Sequence, residues 1–260
     1  MRQLLVPRAL RPGQRLDLTG SDYHYLSVVL RLRAGDTVPA LDAEGSRWDL
    51  QLLENDGSKL VALVEAGAKA GALVFPRLTL YQAIPKGSRF DDLVRQLVQF
   101  GIDRICPVFT ERTVSRPDRE GTRVDRWRRV AREAVQQSGA NRPVGVEPPQ
   151  ELAEIRPTDG ALALVLHAER CPLDLPGDYP LAQSTLHGYL GEVPDDIDLV
   201  VGPEGGFTDA ELIGLFGKGF RPLWLGPQVL RSESAALFAA AAVRILVLER
   251  DHWQPRGEHR

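Results

Sequence analysis

Two glycine-bearing loops hold the residues best suited to chemistry in this chain. Val201-Gly202-Pro203-Glu204-Gly205-Gly206-Phe207 and Leu225-Gly226-Pro227-Gln228-Val229-Leu230-Arg231-Ser232-Glu233-Ser234-Ala235 each follow a short apolar run and precede a helical pattern. Glycine lets a backbone approach a ligand closely or take positive φ, and the first N–H groups of the following helix are left for an anion or carboxylate. Gly202 and Gly226 lie 24 residues apart, which suits one ligand held between adjacent strand ends.

The elements that must position these loops alternate. Leu78–Ile84 is an apolar run, and Arg89–Phe100 sets Phe90, Leu93, Val94, Leu97 and Val98 on one helical face, closed by Gly101. Strands follow at Arg104–Phe109, Leu162–His167, Ile197–Gly202 and Pro222–Leu225, with helices at Val124–Ser138 and Ser232–Arg250. Thr208-Asp209-Ala210-Glu211 reads as a capping box that starts a helix just after the first glycine loop. Such alternation predicts an α/β fold with a parallel sheet covered on both faces, and ligands of such sheets sit beyond the carboxyl ends of the strands. No Gly-x-Gly-x-x-Gly follows the first strand and no P-loop lysine pattern occurs, which disfavours an ordinary dinucleotide or triphosphate site.

Residues 1–72 read differently, as short β segments at Arg15–Leu18, Thr37–Leu41, Trp48–Leu53 and Leu60–Ala66, with one helical stretch at Asp22–Leu32. A small β unit such as a barrel is expected there. The boundary falls at Ala66-Gly67-Ala68-Lys69-Ala70-Gly71-Ala72, giving domains at 1–72 and 73–260.

Composition bounds the setting. The two cysteines, Cys106 and Cys171, have no metal-ligand spacing, so neither a disulfide framework nor a zinc site is expected. No apolar run is long enough for a signal peptide or a membrane span, and a cytoplasmic location is expected. The net charge of −3 conceals a basic middle segment: residues 86–142 carry 13 basic and 8 acidic side chains, while residues 143–260 carry 9 and 18. Arg112, Arg116, Arg119, Arg123, Arg126, Arg128, Arg129 and Arg132 fall in that segment, which serves equally as a solvated helix face or as a phosphate-binding surface.

Taken together, the two glycine loops, Lys86-Gly87-Ser88-Arg89 and Gln137-Ser138-Gly139 resemble the SPOUT superfamily of S-adenosylmethionine-dependent RNA methyltransferases. The family within it that methylates N3 of a uridine in 16S ribosomal RNA is the most similar. His24 followed by Val29-Leu30-Arg31-Leu32-Arg33-Ala34-Gly35-Asp36 resembles that family's PUA-like β-barrel RNA-binding domain. The resemblance implies a trefoil-knotted C-terminal domain, a homodimer with donor pockets near the subunit interface, and no metal. By motif position it implies S-adenosylmethionine contacts from Leu166, His167, Gly202, Pro203, Glu204, Gly205, Leu225, Gly226, Leu230, Arg231, Glu233, Ser234 and Ala235. RNA contacts are expected from Arg31, Arg33, Lys86, Arg89, Arg112, Arg116 and Arg142. The chain departs from the family pattern at Gln99-Phe100-Gly101, at Ala140 where an arginine commonly stands, at Gln228, and at Ser232-Glu233-Ser234.

Methylating uracil N3 requires removing a proton that is not ionised at neutral pH, or stabilising the anion as it forms. Arg231 and Arg89 are the candidates to stabilise charge on the uracil oxygens, with Glu204 or Glu233 as proton acceptor. Each also has a plainer use: Arg231 as a partner for Glu233, Glu204 as an acceptor for turn N–H groups. Phe90, Phe100 and Trp127 read as core, and His24 is assigned no chemistry. Within the superfamily a ribose 2′-O or other base methyltransferase is the alternative. Outside it the alternative is a non-catalytic dimeric RNA-binding or ribosome-assembly protein.

Overall fold

A computed structural model describes residues 3–67, 75–87, 89–114, 116, 121–168 and 184–249. Most of the expected linker, Ser88, Arg119, Cys171 and the stretch from 250 onward lie outside the described residues. The chain divides into two compact units, Met1–Leu73 with Arg132–Val144, and Val74–Ala131 with Gly145–Arg260.

In the first unit, β1 (Leu4–Leu5), β2 (Arg15–Leu18), β3 (Thr37–Leu41), β4 (Arg47–Asn55) and β5 (Leu60–Ala66) form one sheet in the order β1-β3-β4-β5-β2. All pairings but β1 with β3 are antiparallel. Alternating burial along β2 and β5 points Leu16, Leu18, Leu60, Ala62 and Val64 into one core. Residues 132–144 join this unit because their backbone is tied to its first strand. The Gln3 amide donates to the Val135 and Ala140 carbonyls at 3.1 and 3.0 Å, and Arg132 donates to the Leu5 carbonyl and the Asp22 carboxylate. That discontinuity has no signature in composition.

The helix expected over Asp22–Leu32 is shorter. It runs as α1 (Gly20–Tyr23) into a wider π turn at His24–Val29, and ends where Arg31 takes φ +57° and the Leu32 N–H reaches the Leu26 carbonyl. Asp42 anchors the following turn. Its carboxylate accepts from the Trp48 indole and from the N–H groups of Ser46, Leu10 and Glu44. Burial alone would raise the pKa of Asp42, and these four bonds outweigh it, so the group sits below the usual carboxylate range.

The second unit is a seven-stranded sheet, parallel in every pairing. Its strands are β6 (Arg77–Ala83), β7 (Arg104–Phe109), β8 (Gly145–Val146), β9 (Gln150–Glu151), β10 (Leu162–His167), β11 (Asp196–Val201) and β12 (Arg221–Trp224). The order is β12-β10-β11-β6-β7-β8, with β9 also beside β7. β6 and β11 are buried almost from end to end, as a parallel sheet covered on both faces requires. On one face α5 (Asp209–Phe216) sets Leu212, Leu215 and Phe216 against Tyr81, Val108, Val165 and Val200. On the other, α6 (Ser232–Glu249) packs on β6, β11 and α2 (Arg89–Gln99). Next to α2, α3 (Thr122–Ser138) contributes Trp127, whose ring meets Phe90 edge-on at 4.4 Å.

Phe90 and Trp127 are core as expected, each 1% exposed, but Phe100 is 37% exposed. The chain leaves the helix at Gln99 and turns at Gly101, φ +76°, so Phe100 falls past the apolar face. The capping box forms as its spacing predicts. Thr208 Oγ1 accepts from the Glu211 N–H, Glu211 returns a bond to the Thr208 N–H, and its other oxygen holds the Glu111 N–H at 2.8 Å. Strands β8 and β9 escape sequence reading because two residues cannot display a period.

Candidate active site

Strands β11, β10 and β12 lie side by side and parallel, so their carboxyl ends open on one region. The residues leaving those ends enclose a cavity of about 540 Å³, within the range that holds a small-molecule ligand. Leu166, His167 and Ala168 come from the end of β10, Gly202–Phe207 from the loop after β11, and Leu225, Gly226 and Gln228–Ser232 from the loop after β12. Eleven of the thirteen residues expected to contact a methyl donor line this cavity: Leu166, His167, Gly202, Pro203, Glu204, Gly205, Leu225, Gly226, Leu230, Arg231 and Ala235. Glu233 and Ser234 stand outside the lining.

Glycine suits both turns for different reasons. A Cβ on Gly202 would meet the Phe207 ring at 3.0–3.2 Å, whereas Gly226 takes φ +125°, a region L side chains rarely enter. The first loop closes on itself through the Gly206 N–H and the Pro203 carbonyl at 2.9 Å. From outside, Arg112 donates to the Gly205 carbonyl at 2.5 Å. Arg112, one of the expected RNA contacts, thus also braces the first glycine loop.

Beside the cavity Arg89 bridges two carboxylates, with Nη1 3.3 Å from Glu233 Oε1 and 3.9 Å from Glu204 Oε1. The second oxygen of Glu233, Oε2, is buried with no hydrogen-bond partner. A buried carboxylate oxygen in that state is an acceptor without a donor. By contrast the Arg231 guanidinium is exposed and, among the described residues, has no hydrogen bond or ion pair. Three of the four catalytic candidates therefore form one cluster, and the fourth lies in the cavity wall unengaged.

The expected RNA contacts fall in two groups. Lys86, Arg89, Arg112 and Arg116 are exposed on the second unit, where Arg116 also pairs with Glu151 and lies 5.1 Å over the Phe109 ring. Arg31, Arg33 and Arg142 belong to the first unit, the first two exposed and Arg142 half-buried. One residue behind the cavity carried no motif signal: Gln82, the penultimate residue of β6, which donates a 2.8 Å hydrogen bond to Ser232, the first residue of α6 and part of the cavity lining.

A more voluminous cavity of about 1090 Å³ is lined by Tyr81, Arg104, Cys106, Glu147, Ile155 and Arg156, among others. It draws on neither glycine loop. Burial pushes the Cys106 thiol up to about 12, leaving it protonated and a poor nucleophile. Among the described residues no group of three or more His, Cys, Asp or Glu could hold a metal ion, and no helix is long and apolar enough to cross a membrane.

The profile of the RNA methyltransferase domain family matches residues 74–244. The chain belongs to that family. Across 233 residues, 88% of this chain and 73% of the relative, it is 35% identical to a ribosomal RNA small subunit methyltransferase E from Synechocystis sp.. To the Mycobacterium bovis protein of the same name it is 31% identical, over 87% of this chain and 85% of that one. The crystal structure of a ribosomal RNA small subunit methyltransferase E from Neisseria gonorrhoeae, bound to S-adenosyl methionine, superposes with a TM-score of 0.78. It is 28% identical and covers 95% of this chain and 98% of that one. In this RNA methyltransferase the matched segment contains both glycine loops and the Arg89–Glu204–Glu233 cluster.

Proposed function

We propose that this protein transfers a methyl group from S-adenosylmethionine to N3 of a uridine in 16S ribosomal RNA of the small subunit. The observation that carries the reading is the cavity beyond β10, β11 and β12, walled by both glycine loops, in a chain of the RNA methyltransferase family. Its size and lining fit the donor: apolar Leu166, Phe207, Leu212, Leu225 and Leu230 suit the adenine, and the two loops bring exposed backbone groups for the amino-acid end. Held there, S-adenosylmethionine supplies an electrophilic methyl on a sulfonium sulfur. The N3 nitrogen attacks that methyl as the carbon–sulfur bond breaks, and the N3 proton passes to a carboxylate. Glu204, in the cavity lining, and Glu233, beside it with an unpartnered Oε2, are the two candidate acceptors. Arg231 stabilises negative charge on the uracil oxygens, while Arg89 holds the two carboxylates in place. Titration calorimetry with S-adenosylmethionine tests the reading: one site per chain is expected, and no binding sinks it.

The same reading includes RNA contacts from Arg31, Arg33, Lys86, Arg89, Arg112, Arg116 and Arg142, a PUA-like barrel for residues 1–72, a trefoil knot within 73–260, and a cytoplasmic location. The uridine must be unstacked to expose N3. It also includes a homodimer. Phe238 and Ile245, seven residues apart on α6 and so on one face, are each 52% exposed, and Val229 in the cavity wall is 84% exposed. A second copy covering that face would bring the donor pocket to the interface. Light scattering should give a dimer mass for the wild type and a monomer mass for the Phe238→Glu, Ile245→Glu double variant. A monomeric wild type contradicts the assignment.

A further inference from the structure

Pro203 has no N–H, so the Gly202–Pro203 peptide can be held by hydrogen bonding only through the Gly202 carbonyl. That carbonyl accepts from Ser232 Oγ at 2.5 Å. A serine hydroxyl has one proton, and here it points at the loop, so the oxygen can only accept on its other side. It accepts from Gln82 Nε2 at 2.8 Å, and the same nitrogen gives its second hydrogen to the Ala83 carbonyl at 2.9 Å. Turning the amide over would face Gln82 Oε1 against the Ala83 carbonyl, two acceptors together. The Ala83 carbonyl therefore fixes the direction of the whole relay.

Burial makes the relay specific. Gln82 is 0% exposed and Ser232 5%, and Gln82 Oε1 is left with no partner. Register pairs Gln82 with Val201, the residue before the loop, so the amide is anchored in the strand beside the one that launches Gly202. A methionine of the same length would fill the space with no orphan oxygen, so packing alone does not account for a glutamine here.

We infer that Gln82 and Ser232 are positioning residues for the methyl-donor loop, acting as a single relay that sets the Gly202–Pro203 peptide in the orientation the donor cavity requires. The inference rests on the donor-binding reading above. Gln82 does not line the cavity and acts only through Ser232, which does.

The test is a double-mutant cycle on the full chain with Ser232→Ala and Gln82→Met, reading S-adenosylmethionine affinity by calorimetry and methyl-transfer kinetics. Each single variant should weaken donor binding about tenfold, the scale of one lost buried hydrogen bond. The loss should fall on donor KM more than on kcat. Because both residues serve one relay, the double variant should bind no more weakly than the worse single. Additive losses, or unchanged affinity in Ser232→Ala, overturn the inference. If Gln82→Met does not fold, Gln82→Leu replaces it, likewise apolar and without a donor. A wild type that does not bind the donor refutes the parent reading instead, so the two failures are distinct.

Discussion

Gly202→Val weakens S-adenosylmethionine binding by about tenfold to a hundredfold while the protein stays folded. The Phe207 ring lies where the new side chain must go, with Cε2 at 3.0 Å and Cζ at 3.1 Å from an added Cβ. That ring cannot yield freely, because Phe207 is 9% exposed and belongs to the cluster with Leu212, Leu215, Phe216 and Phe220. Overpacking of this kind costs about 1–3 kcal/mol. Here the loop, on the open side of the cavity, is the element able to relieve it, so the strain appears as a displaced donor wall rather than an unfolded sheet. Calorimetry with circular dichroism checks both halves. Wild-type affinity in a folded Gly202→Val protein would mean that this loop does not hold the donor.

Arg231→Ala lowers kcat by about 10²–10³-fold, the scale of removing one preorganised donor to a developing anion, and changes donor affinity much less. Arg89 is held by Glu233 and Glu204, whereas Arg231 lies in the cavity wall without a partner among the described residues. Arg89→Ala should therefore cost less, and through misplaced carboxylates rather than lost charge stabilisation. An exposed ion pair of this kind is worth only about 0.2–1 kcal/mol. Single-turnover methyl transfer with saturating donor separates the cases. Wild-type-like rates for both variants, with donor binding retained, exclude both arginines from the chemistry.

How much of this was legible beforehand depended on whether a signal was local. The glycine loops announce themselves because Gly202 and Gly226 meet local steric demands, a ring at 3.0 Å and a φ of +125°. The capping box at Thr208 is likewise visible in four residues. Gln82 was not legible. It lies inside a buried apolar strand, and its partner Ser232 is 150 residues away in sequence, so no window on the chain contains both. The same holds for residues 132–144, which join the first unit through hydrogen bonds from Gln3, and for the contact of Arg112 with the Gly205 carbonyl, 93 residues away. Charge reports a residue's capacity; only the fold assigns its partner.

The central claim is tested most directly by incubating the protein with labelled S-adenosylmethionine and small ribosomal subunits that lack their native modifications, then resolving the nucleosides of the digested RNA. The account predicts label in 3-methyluridine alone. Label in a 2′-O-methylated nucleoside or another base would contradict the acceptor atom, and no label with donor binding intact would contradict small-subunit ribosomal RNA as the substrate.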